Sequence, residues 1–240
     1  MKISVVLPIH NEYENLKPLL EDWSTQLEKI HNISYEFILV EDGSTDGTKE
    51  LISNLEKKYP IINLSSEKKR GYTKAVLDGI KSSTGDYILC TDSDNQIKVD
   101  SLIKNLDNLP EENEFLIGYR NPRKDSINRI FYSKLFKVLH MILFDTKLKD
   151  PSCPFVIGKR KTFNSLPTKL LNMMTEGFWW GFVATCLKTG KKIKETPIQH
   201  FERKSGVASY GIIKLPGIII RNTTGLIKIK YFKIDAQKDI

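Results

Sequence analysis

The sequence predicts an α/β fold, a doubly wound, mostly parallel sheet with helices on both faces and a C-terminal amphipathic helical extension. The first observation is a set of short apolar runs at residues 3–9, 37–40, 61–64 and 87–90, each followed by a polar turn or loop. Such continuous runs are typical of strands that are buried on both faces. The second observation is that segments of helical periodicity separate these runs. The resulting order favours parallel strands joined by right-handed crossovers.

The helices of the first half are identified by apolar residues spaced three and four positions apart. Their predicted inner faces are Leu16, Leu19, Leu20, Trp23, Leu27 and Ile30, then Leu51, Ile52, Leu55 and Tyr59, then Ala75, Val76 and Ile80. Residues 41–47 form a predicted turn rich in glycine and aspartate, and Ser44 or Thr45 is expected to cap the helix that follows.

The second half is expected to add further strands and helices. The strand candidates are residues 116–118, which lead to Arg120, and then a turn and strand at 150–160 and a strand at 192–198. The helix candidates are residues 127–144 and 176–188.

Two apolar regions of this half also carry many basic residues. The helix at 127–144 contains Arg129, Lys134 and Lys137, and it either lies on an anionic membrane surface or packs on the core with its lysines in solvent. Apolar runs at 212–220 and 226–234 also suit a membrane interface; they are broken by Pro216, Gly217 and Gly225. We therefore predict a main domain at 1–210 and a basic amphipathic segment at 211–240.

Composition limits the class of protein. The 240 residues carry a formal net charge of +8, which favours anionic partners such as phosphates, a membrane surface or nucleic acid. Cys90, Cys153 and Cys186 lack metal-binding spacing, which favours a reducing compartment. No signal peptide or run of about 18 apolar residues is evident. We expect a cytoplasmic protein that associates with the inner face of the membrane.

The most informative stretch is residues 85–97, where an apolar strand is followed by Asp92, Asp94 and Gln96. The carboxyl end of a strand is where open α/β sheets bind ligands. If the chain stays extended there, alternation directs the three side chains to one side. Carboxylate and amide oxygens suit Mg²⁺ or Mn²⁺, which leave coordination positions open for phosphate oxygens. The segment therefore predicts a metal-diphosphate site.

Four motifs in order carry a family resemblance: VVLPIHNE, VEDGSTDGT, RGYTKAVLDGI and GDYILCTDSDNQ. Their order and spacing resemble the inverting family 2 glycosyltransferases, which have a GT-A (Rossmann-like) fold. The later stretch ETPIQHFERKSGVAS looks like a motif of the polyprenyl (dolichyl) phosphate mannosyltransferases and their glucosyl relatives. The resemblance covers about residues 1–210, which it implies to be the GT-A catalytic domain.

The resemblance also implies roles for individual residues. Pro8 and Glu12 match positions that hold the nucleoside, and Asp42 matches the acceptor of a hydrogen bond from the base. Asp92, Asp94 and Gln96 match the family's Asp-x-Asp-x-Gln metal motif. The residues implied to face the donor and acceptor phosphates are Arg120, Arg129, Ser133 and Arg203. A solvated helix face is the alternative for Arg129 and Ser133.

The chain departs from the family pattern at several positions, including His10 in the first motif and Ser209 and Tyr210 in the last. Ser93 and Asn95 stand where the family usually has a small residue and a leucine. The family's Gly-x-Gly-x-Ala at the third helix is here Gly71, Tyr72, Thr73, Lys74 and Ala75.

The leading expectation is transfer of a hexose, mannose or glucose, from GDP-mannose or UDP-glucose to polyprenyl phosphate, with inversion and with a divalent metal. An anionic acceptor needs no strong base, and arginines can hold two negatively charged reactants together. The alternative is a saccharide hydroxyl as acceptor in cell-surface polysaccharide synthesis, for which Glu176 is the candidate base. Glu176 otherwise only begins a helix beside core aromatics. The candidate catalytic residues are thus Asp94, Arg203 and Glu176.

Two other classes are less consistent with the sequence. A non-catalytic nucleotide- or RNA-binding protein is allowed by the charge, but no RNA-recognition motif or arginine-rich tract is present, so no nucleic-acid partner is expected. A nucleotidyltransferase would also use carboxylates at strand ends, yet a glycine-rich phosphate loop near the first strand is missing.

Overall fold

The structure is a computed structural model that describes residues 1–125, 127–174, 176–203 and 215–234, without the side chains of residues 128, 129, 215 and 216. The strands are β1 (Lys2–Ile9), β2 (Ser34–Asp42), β3 (Ile61–Ser66), β4 (Tyr87–Cys90), β5 (Glu114–Arg120), β6 (Val156–Lys159) and β7 (Lys192–Ile198). The α-helices are α1 (Tyr13–Leu27), α2 (Thr48–Leu55), α3 (Tyr72–Ser82), α4 (Asp100–Ile103), α5 (Ile127–Phe144), α6 (Arg160–Asn164), α7 (Thr168–Leu171), α8 (Phe178–Lys188) and α9 (Leu215–Tyr231). A short 3-10 helix spans Leu106–Asn108.

The described residues form one seven-stranded sheet in the order β3-β2-β1-β4-β6-β5-β7. The β1–β2, β1–β4, β2–β3 and β5–β7 pairs are parallel, whereas β6 is antiparallel to both of its neighbours. The carboxyl ends of the six parallel strands and the amino end of β6 therefore meet at one edge. The expected mostly parallel α/β sheet is confirmed.

Burial explains why the strands read as continuous apolar runs. In β1, the neighbouring residues Val5 and Val6 are both fully buried although their side chains point to opposite faces of the sheet. The same holds for Ile38 and Leu39 in β2. Both faces of the sheet centre are thus covered, as the doubly wound arrangement requires.

The C-terminal helix α9 packs on the domain. A second apolar cluster joins it to α7 and α8; its buried members are Leu170, Met174, Trp180, Ala184, Leu226 and Ile229. The helix runs through Gly225, where the sequence suggested a break. A Cβ at Gly225 would lie 2.5 Å from the Met174 sulfur and 2.9 Å from the Met173 carbonyl oxygen, so glycine serves close packing there.

The expected division between residues 210 and 211 lies outside the described residues and stays a prediction. Within the parts of the chain that the structure describes, no helix has the length and apolar character needed to cross a bilayer.

Candidate active site

Hydrogen bonds join the turn after β1 to the turn after β2. The Asn11 amide donates to Ser44 Oγ at 2.9 Å, and the Thr45 amide donates to Asn11 Oδ1 at 2.9 Å. Ser44 or Thr45 was expected to cap α2, but the N-cap residue is Gly47, and the Thr48 amide donates to Asp46 Oδ1 at 3.1 Å. This arrangement fixes the position of Glu12.

Glu12 lies at the centre of these turns with its side chain almost fully buried. Its Oε2 accepts from Asn15 Nδ2 at 2.6 Å, and its Oε1 accepts from Arg203 Nη2 at 2.6 Å. Burial raises the pKa of Glu12, whereas the Asn15 hydrogen bond and the Arg203 charge oppose that rise. Glu12, which the resemblance assigns to the nucleoside, is thus hydrogen-bonded to an arginine that lies 191 residues later in the chain.

Asp42, at the end of β2, shapes the loop that precedes α3. Its two carboxylate oxygens accept from the Arg70 amide at 2.7 Å and the Gly71 amide at 2.8 Å. Gly43 is required beside it, because a Cβ there would lie 2.6 Å from the Lys69 nitrogen and the residue has φ +71°. The role of Asp42 toward a base stays a prediction, and the structure adds this loop-forming role.

The Asp92 to Gln96 segment is bent rather than extended. Asn95 adopts φ +62°, a conformation that asparagine tolerates better than most residues, and Asp94 Oδ1 accepts from the Gln96 amide at 3.1 Å. The expected alternation of side chains therefore does not apply here. Ser93 donates its hydroxyl to the Pro8 carbonyl at 2.8 Å, which joins this loop to the end of β1. The departures at 93 and 95 thus have structural uses.

Arg203 connects two of the carboxylates of the site, those of Glu12 and Asp94. Besides its bond to Glu12, its Nη1 lies 3.8 Å from Asp94 Oδ2. The Gln96 amide group donates to the Phe201 carbonyl at 2.9 Å, and the Phe201 amide donates to the Gln96 carbonyl at 2.9 Å. The segment that follows β7 is therefore attached directly to the Asp92–Gln96 loop.

Asp92 makes a contact that the sequence did not reveal. Its Oδ1 accepts from the Tyr72 hydroxyl at 2.6 Å, and that hydroxyl oxygen accepts from Trp179 Nε1 at 2.8 Å. The three residues come from the β4 loop, α3 and α8. No local pattern links positions this far apart, so sequence reasoning missed Tyr72 and Trp179.

Arg120, at the end of β5, is buried in a network of acidic partners. Its guanidinium binds Asp150 through Nε at 2.7 Å and Nη2 at 2.9 Å, and Nη2 also donates to Ser152 Oγ at 2.7 Å. Burial would raise the pKa of Asp150, but the bonds to Arg120 lower it to about 2. Asp150 had been assigned only to a turn. The arginine expected to face a phosphate is thus already paired, and its phosphate role stays a prediction.

A basic cavity of about 350 Å³ opens beside this network. One face of α5 lines it with Ile130, Ser133, Lys134 and Lys137, which follow helical spacing. Ser133 Oγ accepts from Arg123 Nη1 at 2.8 Å. Arg123 and Arg120 both contact Asp125 and Asp150, whereas no described carboxylate pairs with Lys134 or Lys137. Lys134 and Lys137 therefore give the cavity positive charge that no described carboxylate neutralises. The side chain of Arg129 lies outside the described residues.

Another face of α5 is apolar and exposed. Phe131, Leu135, Val138 and Ile142 are each more than half exposed and share one stripe of the helix. A groove of about 330 Å³ lies between α5 and α9; its lining is Tyr132, Leu135, Phe136, Val138, Leu139, Ile142, Ile219 and Thr223. One helix thus borders both a basic cavity and an apolar groove.

Glu176 lies just before α8 and forms an ion pair with α9. Arg221 Nε and Nη2 both donate to its carboxylate, at distances of 2.8 to 3.0 Å. This pairing gives Glu176 a role in attaching α9. Its assignment as a general base stays a prediction.

The segment after β7 joins the two halves of the site. The Asn121 amide donates to the Ile198 carbonyl at 3.0 Å, and the Lys124 amide donates to His200 Nδ1 at 3.1 Å. Phe201 and Arg203 then reach Gln96, Glu12 and Asp94. Residues 198–203 therefore contact both the acidic residues Glu12 and Asp94 and Asn121, which lines the basic cavity.

A mostly parallel sheet with acidic residues at the carboxyl ends of its strands is consistent with the glycosyltransferase class of α/β enzymes. The chain belongs to glycosyl transferase family 2, because the model of that family matches residues 4–167. The expectations of this family, of a glycosyltransferase and of a GT-A fold are thereby confirmed.

Two curated relatives show what the chain is similar to. The dolichol-phosphate mannosyltransferase of Pyrococcus furiosus is 32% identical over 136 residues, which are 56% of this chain and 38% of the relative. The undecaprenyl-phosphate 4-deoxy-4-formamido-L-arabinose transferase of Salmonella choleraesuis is 25% identical over 216 residues, 89% of this chain and 64% of the relative. The chain therefore spans less than two thirds of either relative.

A solved structure supports the fold. Glucosyl-3-phosphoglycerate synthase from Mycobacterium tuberculosis, in complex with Mn²⁺, UDP and glucosyl-3-phosphoglycerate, has a TM-score of 0.70 and 17% identity. The similarity covers 98% of this chain and 81% of that one.

Proposed function

We propose that this chain is an inverting hexosyltransferase that moves mannose or glucose from GDP-mannose or UDP-glucose to polyprenyl phosphate. The observation that carries the proposal is that residues 198–203 contact Glu12 and Asp94 through Arg203 and, through Ile198, contact Asn121 in the lining of the basic cavity. Two negatively charged reactants would thus occupy neighbouring sites. The names of both curated relatives contain a polyprenyl-type phosphate, which is consistent with this acceptor.

On the donor side, the residues present fit a divalent cation. Asp92 and Asp94 offer carboxylate oxygens and Gln96 an amide oxygen, the hard ligands that Mg²⁺ and Mn²⁺ take. Among the described residues no three His, Cys, Asp or Glu side chains converge, so substrate phosphates and water would complete such a site. A cation bound there would stabilise negative charge on the diphosphate leaving group. Pro8, Glu12 and Asp42 would hold the nucleoside.

On the acceptor side, the structure favours an amphiphilic phosphate. Lys134 and Lys137 would attract the phosphate into the basic cavity, which Arg120 and Ser133 also line; the resemblance assigns Arg129 a phosphate role as well. The apolar groove on the adjacent face of α5 would take the first isoprene units. An acceptor phosphate oxygen would attack the anomeric carbon while the bond to the nucleoside diphosphate breaks on the opposite side. Because that oxygen is already anionic, no side chain has to remove a proton.

The exposed apolar stripe of α5 also suits a bilayer surface. Its apolar residues would enter the headgroup region while the lysines beside them meet anionic lipids. We propose peripheral attachment at the inner face of the cytoplasmic membrane, where a lipid acceptor is present.

The test is a transfer assay with three acceptors. The purified chain is incubated with labelled GDP-mannose or UDP-glucose, Mn²⁺ and either polyprenyl phosphate, the matched polyprenol or a soluble oligosaccharide. We expect label in the organic phase only with polyprenyl phosphate. The Asp94→Asn variant should lose this transfer, whereas Glu21→Gln, an exposed change on α1, should keep it. Transfer to the oligosaccharide alone would contradict the proposal.

A further inference from the structure

Tyr72 is the first residue of α3, and its hydroxyl lies between two fixed partners. It is 2.6 Å from Asp92 Oδ1 and 2.8 Å from Trp179 Nε1. An indole nitrogen only donates and a carboxylate only accepts. The directions are therefore determined: Trp179 donates to the Tyr72 oxygen, and the Tyr72 hydroxyl donates to Asp92.

The donor end of this chain of hydrogen bonds is anchored in the core. Trp179 is buried, and its ring meets Phe178 edge-on at 5.0 Å and Phe182 edge-on at 5.6 Å between ring centroids. Tyr72 itself packs against Phe178 at 6.4 Å. Aromatic contacts of this kind hold the indole N–H in one direction. The orientation of the Tyr72 hydroxyl follows from that direction.

The hydrogen bond from Tyr72 restrains the Asp92 side chain. The phenol donates to Oδ1 of the Asp92 carboxylate at 2.6 Å and restricts the rotation of that group.

We propose that Tyr72, held by Trp179, is a positioning residue that orients the Asp92 carboxylate for a divalent cation. The inference rests on the proposed function of Asp92 and adds to it a residue that the family motif does not specify. Groups that hydrogen-bond a metal-ligating side chain change metal affinity by about 10- to 100-fold when removed. Tyr72 would act through Asp92, without contact to the nucleotide sugar.

The test compares two variants that each lose one tyrosine hydroxyl. Tyr72→Phe removes the bond to Asp92, and Tyr35→Phe removes a bond of the same type from the Tyr35 hydroxyl to Glu28 Oε1, 3.0 Å long, at the opposite edge of the sheet. Mn²⁺ binding is measured by electron paramagnetic resonance and by calorimetry in the presence of UDP or GDP. We expect Tyr72→Phe to weaken Mn²⁺ binding about 10- to 100-fold and Tyr35→Phe to leave it unchanged.

Three further readouts distinguish an effect on the position of Asp92 from a general loss of structure. Thermal unfolding should show that both variants fold, and saturating Mn²⁺ should restore much of the Tyr72→Phe turnover. Mn²⁺ should also change the Trp179 emission, isolated by subtracting the Trp179→Phe spectrum, and this change should shrink in Tyr72→Phe. Equal Mn²⁺ affinity in wild type and Tyr72→Phe would overturn the inference alone. Absence of Mn²⁺ binding in the folded wild type would overturn the proposed metal function together with it.

Discussion

Replacing Glu176 by Gln separates the two acceptor classes, because only a hydroxyl acceptor needs this carboxylate as a base. In the structure Arg221 holds Glu176 through one edge of its guanidinium group, Nε and Nη2, at 2.8 to 3.0 Å. The same ion pair can be broken from its other side by Arg221→Gln. The two variants therefore lose the same contact, but only one of them loses the carboxylate.

The two hypotheses predict effects of Glu176→Gln on the transfer rate that differ by orders of magnitude. The Arg221 side chain is 53% exposed, and pairs of such exposure contribute about 0–1 kcal/mol to stability. Both variants should therefore remain folded, with a small fall in unfolding temperature. A general base contributes about 100- to 10,000-fold in rate, so its removal would be evident.

The assay is initial rate of hexose transfer at saturating donor, with both variants and wild type measured in parallel. For a phosphate acceptor, Glu176→Gln and Arg221→Gln should both keep rates within about threefold of wild type, since exposed pairs contribute little. A loss of 100-fold or more that occurs in Glu176→Gln and not in Arg221→Gln would refute the phosphate-acceptor mechanism. It would make Glu176 the base of a hydroxyl-directed enzyme.

Three further predictions concern stability and membrane binding. Asp150→Asn should lower the free energy of unfolding by about 3–5 kcal/mol in urea titrations, because it leaves the buried Arg120 without its main partner; no change would contradict the pairing. Burial lowers the pKa of His140 to about 4, although the contact of its ring with the Trp180 carbonyl opposes this shift. As the pH falls, His140 is therefore protonated in the unfolded chain before it is protonated in the folded protein. The free energy of unfolding should thus be constant above about pH 6.5 and fall by up to about 3 kcal/mol towards pH 4 from this residue, and His140→Phe should reduce that slope. Leu135→Asp with Ile142→Asp should abolish sedimentation with anionic vesicles at low salt, with neutral vesicles as control; undiminished binding would exclude the α5 stripe as the membrane contact.

Much of the fold follows from local patterns. The apolar runs at residues 3–9 and 37–40 are strands because the sheet centre is covered on both sides, and the 192–198 prediction coincides with β7. Periodicity likewise locates α1, α2 and α3. The strands at 3–9 and 37–40 and these three helices follow from apolar patterns that the sequence shows directly, whereas most of β7 is exposed or half-buried.

The C-terminal extension was harder to interpret. Gly225 has a low intrinsic helix propensity, and the sequence therefore indicated two separate runs. In the structure the missing side chain lets α9 approach Met173 and Met174, and this packing outweighs the local preference. Tertiary contacts of this kind are not visible in the local pattern.

The acidic residues of the candidate site could be named from the sequence, but their contacts could not. Asp92 and Asp94 follow a predicted strand, whereas Glu12 and Asp42 were identified through the family resemblance. The partners that hold them come from distant parts of the chain: Arg203 binds Glu12 across 191 positions, and Trp179 is 107 positions from Tyr72. The bend at Asn95, where φ is +62°, was not predicted either. The expected alternation of side chains assumed an extended chain at this point.

The most direct measurement is calorimetric binding of GDP, UDP, CDP and ADP to the purified chain, each with and without Mn²⁺. The account predicts that one diphosphate binds selectively, that Mn²⁺ is required and that Asp94→Asn removes the binding; GDP would indicate a mannosyl donor and UDP a glucosyl donor. Absence of binding by all four in folded protein, or binding that does not depend on Mn²⁺ or Asp94, would contradict the proposed metal-dependent transferase.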